Sequence, residues 1–127
     1  MEEERHHVEL IKGITEQLKP VMNRSPQAMY AYLDDIHKVC NKKFADLLGY
    51  ASPQAWAKMA TPLDDVVEDD QDAVVLAFRN ATDKLVASQI DVRLRNVKTK
   101  KIVKTTMIEV PMAFSGHVYA LKIFSKG

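Results

Sequence analysis

Apolar and polar positions along the chain divide it into a short succession of elements. His7, Ile11, Ile14 and Leu18 are spaced 4, 3, 4, with Val8 and Leu10 beside them, which predicts an amphipathic helix over residues 2–19. Gly13 weakens that helix by about 1 kcal/mol relative to Ala, and Pro20 is expected to end it near Leu18. Residues 23–27 read as a linker. Residues 28–33 are a nearly unbroken apolar run, the pattern of a strand covered on both faces. Asp34 and Asp35 supply turn chemistry, and Val39-Cys40 continues as a second strand.

Helix signals follow directly. Asn41 stands where an N-cap belongs, Phe44, Leu47 and Leu48 form a one-sided stripe, and Gly49 can close the helix in a left-handed turn. Ser52-Pro53 caps and opens a short helix through Trp56 and Met59, which Pro62 closes. A turn over residues 63–67 leads into the longest helix of the folded part, beginning near Asp69-Asp70. Val74, Phe78, Ala81 and Leu85 mark its buried face, with acidic residues at its start and Lys84 near its end.

The remainder alternates. Ile90, Val92 and Leu94 interleave with Asp91, Arg93 and Arg95; a lysine-rich tip over residues 98–101 separates that strand from a β-branched one over residues 102–112. Pro111 is expected to take that strand out of the ladder near its end. The last strand, residues 118–124, has Tyr119, Leu121 and Ile123 on one face and Lys122 on the other. Two strands, then helices, then three strands predict an α+β domain in which both strand groups share one antiparallel sheet with helices over one face. The division is an N-terminal amphipathic helix over 1–22 and a folded domain over 23–127.

Composition narrows the function classes. With 46% hydrophobic and 28% charged residues, the 127-residue chain has the make-up of a globular domain. A formal net charge of +1 gives no global field for nucleic acid or an anionic membrane. No run approaches the roughly 18 apolar residues of a membrane span, and the polar start MEEERHH is unlike a signal peptide. One cysteine precludes an internal disulfide. A cytoplasmic protein is expected.

Residues 28–53 carry a resemblance. A turn Asp, an apolar strand ending in Asn41, then Phe44, Leu47-Leu48-Gly49-Tyr50 and Ser52-Pro53 follow in the order and spacing of the PAS domain family. The likeness extends to Gly127 and departs at the first turn, where the family often has Gly and this chain has Ile36-His37. It implies a five-stranded antiparallel sheet and a sensing or docking role, although a fold does not by itself fix function.

Candidate chemistry is sparse. The family's light-sensing flavin domains carry a reactive Cys in an Asn-Cys-Arg-Phe motif that this chain lacks, and Cys40 reads as a buried inert thiol. The resemblance disfavours haem, because residues 69–85 contain no His, and flavin, because the last strand has no Asn or Gln. No metal site is expected: His37 and Cys40 point to opposite faces, His6 and His7 diverge, and His117 lies at a turn. The acidic residues between Asp64 and Asp72 lack the spacing of a calcium loop. Lys98, Lys100, Lys101 and Lys104 lack interleaved aromatics to stack bases, which argues against nucleic acid. No nucleophile elbow or phosphate-cradling glycine loop is present, so the chain is not read as an enzyme.

What remains is the interior. Phe44, Leu48, Trp56, Met59, Phe78, Leu94, Tyr119 and Leu121 are expected to converge between helices and sheet, where the family places its ligand. Two readings stand. Either this cleft takes an unidentified small ligand and the sheet signals to a partner, or the core is filled and the domain serves assembly alone. With no output segment in the sequence, a signalling protein is expected as partner. Ile11, Ile14 and Leu18 need cover, from the sheet or from the same helix of a second chain, and a homodimer is expected.

Overall fold

The computed structural model describes residues 2–126. It runs α1 (Glu2–Arg24), β1 (Ala28–Tyr32), β2 (Lys38–Cys40), α2 (Lys42–Leu48), α3 (Pro53–Ala57), a 3₁₀ turn (Pro62–Asp65), α4 (Glu68–Lys84), β3 (Ser88–Arg95), β4 (Ile102–Phe114) and β5 (His117–Lys126). Asn41 does more than cap α2. Its side-chain oxygen accepts from the Phe44 and Met29 amides at 3.0 and 3.1 Å. Its amide nitrogen donates to the carbonyls of Gln27 at 2.9 Å and Met22 at 3.3 Å. One buried side chain thus ties the end of α1, the start of β1 and the first turn of α2. Gly49 ends α2 at φ +82°, and a Cβ there would lie 2.4 Å from the Asn96 side-chain oxygen, so both backbone and space demand glycine. Ser52 caps α3 by accepting from the Ala55 amide at 3.0 Å.

The five strands form one antiparallel sheet in the order β2-β1-β5-β4-β3. Period-2 alternation splits its side chains into two sets. One set packs under α2, α3 and α4, with Tyr30, Cys40, Val92, Leu94, Met107 and Phe124 joining Phe44, Leu48 and Trp56. The other set, including Met29, Ala31, Tyr119 and Leu121, packs under α1 through Ile14, Leu18 and Met22. Helices therefore lie on both faces, with α1 alone on the outer one. No helix among the described residues is long and apolar enough to cross a membrane.

Four expectations change. Pro20 does not stop α1, which continues to Arg24. Its ring is exposed, and one missing amide is outweighed by the last turn, where Met22 is buried and its carbonyl accepts from Asn41. Gly13 is more than a weak point: a Cβ there would sit 2.3 Å from the Phe114 ring, so its lack of a side chain admits β4 close to α1. Pro111 stays in the β4 ladder opposite Ala120. It lies beyond Glu109, where the β3 ladder ends, and a proline is tolerated where a strand has one neighbour. Leu85 leaves the buried face of α4, because the helix ends at Lys84 and Leu85 forms its left-handed cap at φ 56° with its side chain 63% exposed.

Candidate functional site

The alternation of β5 places Ala120, Lys122 and Phe124 on the inner face and Tyr119, Leu121 and Ile123 on the outer one. Tyr119 and Leu121 therefore do not line the cleft as expected; they are covered by α1. Alternation alone defines two faces without saying which one the helices α2–α4 cover. Phe44, Leu48 and Leu94 do meet between helices and sheet, but around a void of about 10 Å³. That is barely the room of one water. Trp56 is 0% exposed and packs on Tyr30 and Phe44, with ring centroids 4.8 and 5.4 Å apart. Met59 is half-buried against this core and its carbonyl accepts from Lys38 Nζ at 2.8 Å. These residues fill space. Ile14 and Leu18, expected to be covered by sheet or partner, are buried on the chain's own sheet, and Ile11 is half-buried beside them.

Open space lies further along the sheet. A cavity of about 450 Å³ sits between β1, β5, α4 and the 3₁₀ turn, within the size range of small-molecule sites. Phe78 is the residue of the expected set that lines it. Tyr30 and Tyr32 of β1 form one wall, Val74, Val75 and Phe78 of α4 another, and Pro62, Leu63 and Val66 a third. Asp35, Thr61, Arg79, Thr82 and Asp83 supply the polar lining, and Lys122 joins them from the sheet.

Lys122 is the chemical centre of this space. Register places it opposite Tyr30 on β1 and opposite Glu109 on β4. Its ammonium lies 5.4, 5.6 and 5.9 Å from the ring centroids of Tyr30, Tyr32 and Phe78, an aromatic enclosure that favours a cation. Glu109 Oε1 is 3.5 Å away, an ion pair without hydrogen-bond geometry. Lys122 is 3% exposed and Glu109 0%, and both carboxylate oxygens lack a hydrogen-bond partner. Burial pushes Lys122 below the usual lysine range, opposed by Glu109. The same burial pushes the Glu109 carboxyl up, opposed by Lys122. Neither charge is well satisfied by the other. Such a pair leaves the ammonium with capacity for another acceptor.

The surrounding polar groups are held firmly. Tyr32 donates its hydroxyl to Asp35 at 2.5 Å, and Tyr50 donates to Asp65 at 2.5 Å. Burial, followed by the Asp35 bond, raises the Tyr32 phenol, so it remains a donor at neutral pH. Lys38 donates to the carbonyls of Ala57, Met59 and Asp35. Arg93 donates from its backbone at 2.8 Å and its guanidinium at 3.0 Å to Asp70, fastening α4 to β3. That gives one member of the acidic cluster a structural role. Cys40 is buried, and burial pushes its thiol up to about 12, so thiolate chemistry is absent at neutral pH. The lysines at positions 98, 100, 101 and 104 are exposed.

Sequence reasoning missed Lys122 and Glu109. The signal was present: each is the one charged residue in an apolar stretch, Lys122 within 118–124 and Glu109 within 107–114, and their charges are opposite.

The fold that holds this cavity is the PAS fold. A PAS domain from Colwellia psychrerythraea superposes with a TM-score of 0.66 at 20% identity, covering 90% of this chain and 97% of that one. The PAS domain of an HTR-like protein from Haloarcula marismortui gives 0.65 at 11% identity, covering 97% and 99%. A Rhodobacter sphaeroides LOV protein gives 0.68 at 16% identity, covering 91% and 67%. No family sequence profile matches the chain. No curated protein matches it in sequence.

Proposed function

We propose that the chain is a non-enzymatic sensory module whose cavity takes a small planar anion, with Lys122 as its anchor. The observation that carries this reading is a buried, poorly paired ammonium among three aromatic rings beside an open cavity. A carboxylate or other anionic oxygen would complete the coordination of Lys122, and the tyrosine and phenylalanine faces would hold a flat apolar body. The signal would pass through β5. Lys122 faces the cavity, while its neighbours Leu121 and Ile123 face α1, so a shift of the strand reaches that helix directly. Calorimetric titration with 2-naphthoate and with its neutral analogue 2-naphthamide tests the anchor. Naphthoate is expected to bind the wild type at least tenfold more tightly than naphthamide, and Lys122→Met to erase that preference. Equal binding of the two probes to the wild type would contradict the role of Lys122.

Homodimerisation is the second element of the proposal. Ile108 remains exposed on the outer sheet face opposite half-buried Ile123, and α1 leaves Val8 and Val21 exposed. These residues, rather than Ile14 and Leu18, are what a second copy would cover. Removing residues 1–20 would also bare Tyr119 and Leu121, so the informative variant is Ile108→Glu with α1 intact. Light scattering at high micromolar concentration is expected to show a wild-type dimer and an Ile108→Glu monomer. A monomeric wild type would end this reading.

A further inference from the structure

The four histidines of the chain, drawn from three separate stretches of the sequence, gather where α1 begins. His7 Nδ1 lies 2.7 Å from Asp34 Oδ2, and His37 Nδ1 lies 2.7 Å from Asp34 Oδ1. The His7 and His37 rings meet edge to face, with centroids 5.5 Å apart. Ligand-capable atoms of His7, Asp34 and His37 all fall within 4.8 Å of one another. His6 pairs separately with His117, Nε2 to Nε2, at 2.8 Å. We propose that His7, Asp34 and His37 form a site for a divalent transition-metal ion of the zinc class, which clamps α1 to the turn between β1 and β2.

The donor set suits that ion. Two imidazole nitrogens and one carboxylate oxygen are the ligands borderline metals take, with zinc bonds of about 2.0–2.2 Å. Three such bonds around one centre need ligand atoms separated by little more than 3 Å, so small side-chain rotations from the present spacing suffice. Asp34 is already oriented: its Oδ1 accepts from the backbone amides of Ile36 at 3.1 Å and His37 at 2.8 Å. His37 is 7% exposed, while His7 at 29% and Asp34 at 35% leave an approach from solvent and a fourth position for water. The three ligands come from two elements. His7 comes from the first turns of α1, and Asp34 and His37 from the hairpin, so an ion here would join the helix to the sheet it covers.

Without metal, Asp34 accepts from both rings at Nδ1. A ring that ligates through Nδ1 presents its lone pair there and carries its proton on Nε2. Coordination itself supplies the observable. Cobalt(II) serves as the probe for the full chain, because its visible absorption reports coordination by nitrogen and oxygen. The wild type is expected to bind one cobalt per chain, with the band removed by added zinc. His7→Gln, Asp34→Asn and His37→Gln are each expected to weaken binding at least tenfold, and His6→Gln to leave it unchanged. Two-dimensional NMR of the imidazoles in the wild type needs no variant to fold: zinc should move the His7 and His37 ring signals and leave those of His117 in place. A wild type that binds no cobalt or zinc at micromolar concentration would overturn the proposal. So would shifts centred on His6 and His117, or a His37→Gln variant that binds as tightly as wild type.

Discussion

Lys122→Met is expected to destabilise the chain by about 3–5 kcal/mol, and adding Glu109→Leu is expected to recover most or all of that loss. The reasoning starts from the cost of burying charge. A carboxylate and an ammonium taken from water lose several kcal/mol of hydration each, repaid only where their geometry is good. Here the closest approach is 3.5 Å and both Glu109 oxygens lack a hydrogen bond. Removing the lysine alone strands Glu109 at 0% exposure, and that uncompensated charge is the source of the loss. Replacing both by apolar residues of similar volume removes the desolvation of both, which in comparable sites is neutral or stabilising by about 1–4 kcal/mol. A denaturant series on the two single variants and the double variant gives the cycle. Independent, additive losses would show that the two groups do not interact across β4 and β5. A stable double variant that no longer distinguishes naphthoate from naphthamide would locate the value of this pair in binding rather than in folding.

Trp56→Ala is expected to cost about 3–5 kcal/mol, with little change in naphthoate binding. The two parts of that result separate core from cavity. Trp56 is 0% exposed and wedged between Tyr30 and Phe44; Lys38 Nζ lies 5.4 Å from its ring. Its truncation would open a void where the space beside Phe44 and Leu48 is now about 10 Å³. Trp56 does not line the larger cavity, so any loss of affinity should come through altered Tyr30 packing and stay small. Thermal unfolding and calorimetry on the same sample check both parts. A nearly neutral Trp56→Ala would mean that the aromatic cluster is loosely packed and that the expected cleft is the real one.

Local chemistry made most of the fold legible. Asn41, Gly49 and Ser52-Pro53 announce helix ends because their side chains or backbone freedom act within a few residues. The alternation at Ile90, Val92 and Leu94 depends on nothing beyond the strand that carries it. What was not legible depends on partners distant in sequence. Tyr119 and Leu121 are outer residues because α1, a hundred residues earlier, covers that face. Pro20 stays helical because Asn41 and Met22 anchor the turn after it. The Phe114 ring gives Gly13 its purpose. His7 and His37 were weighed against their sequence neighbours, while their common partner Asp34 bridges two elements. Alternation puts Lys122 on the face opposite Tyr119, Leu121 and Ile123 but does not say what covers that face; its burial follows from the register that sets it between Tyr30 and Glu109.

The occupancy of the cavity is the central claim, and native mass spectrometry of the full chain purified from its own host tests it most directly. The wild type is expected to carry an added mass of a few hundred daltons or less, released on unfolding and detected as an anion, and the Glu109→Leu, Lys122→Met double variant to carry none. A wild type free of bound molecule under conditions that preserve its fold, or an equal bound mass in both proteins, would contradict a Lys122-anchored ligand site.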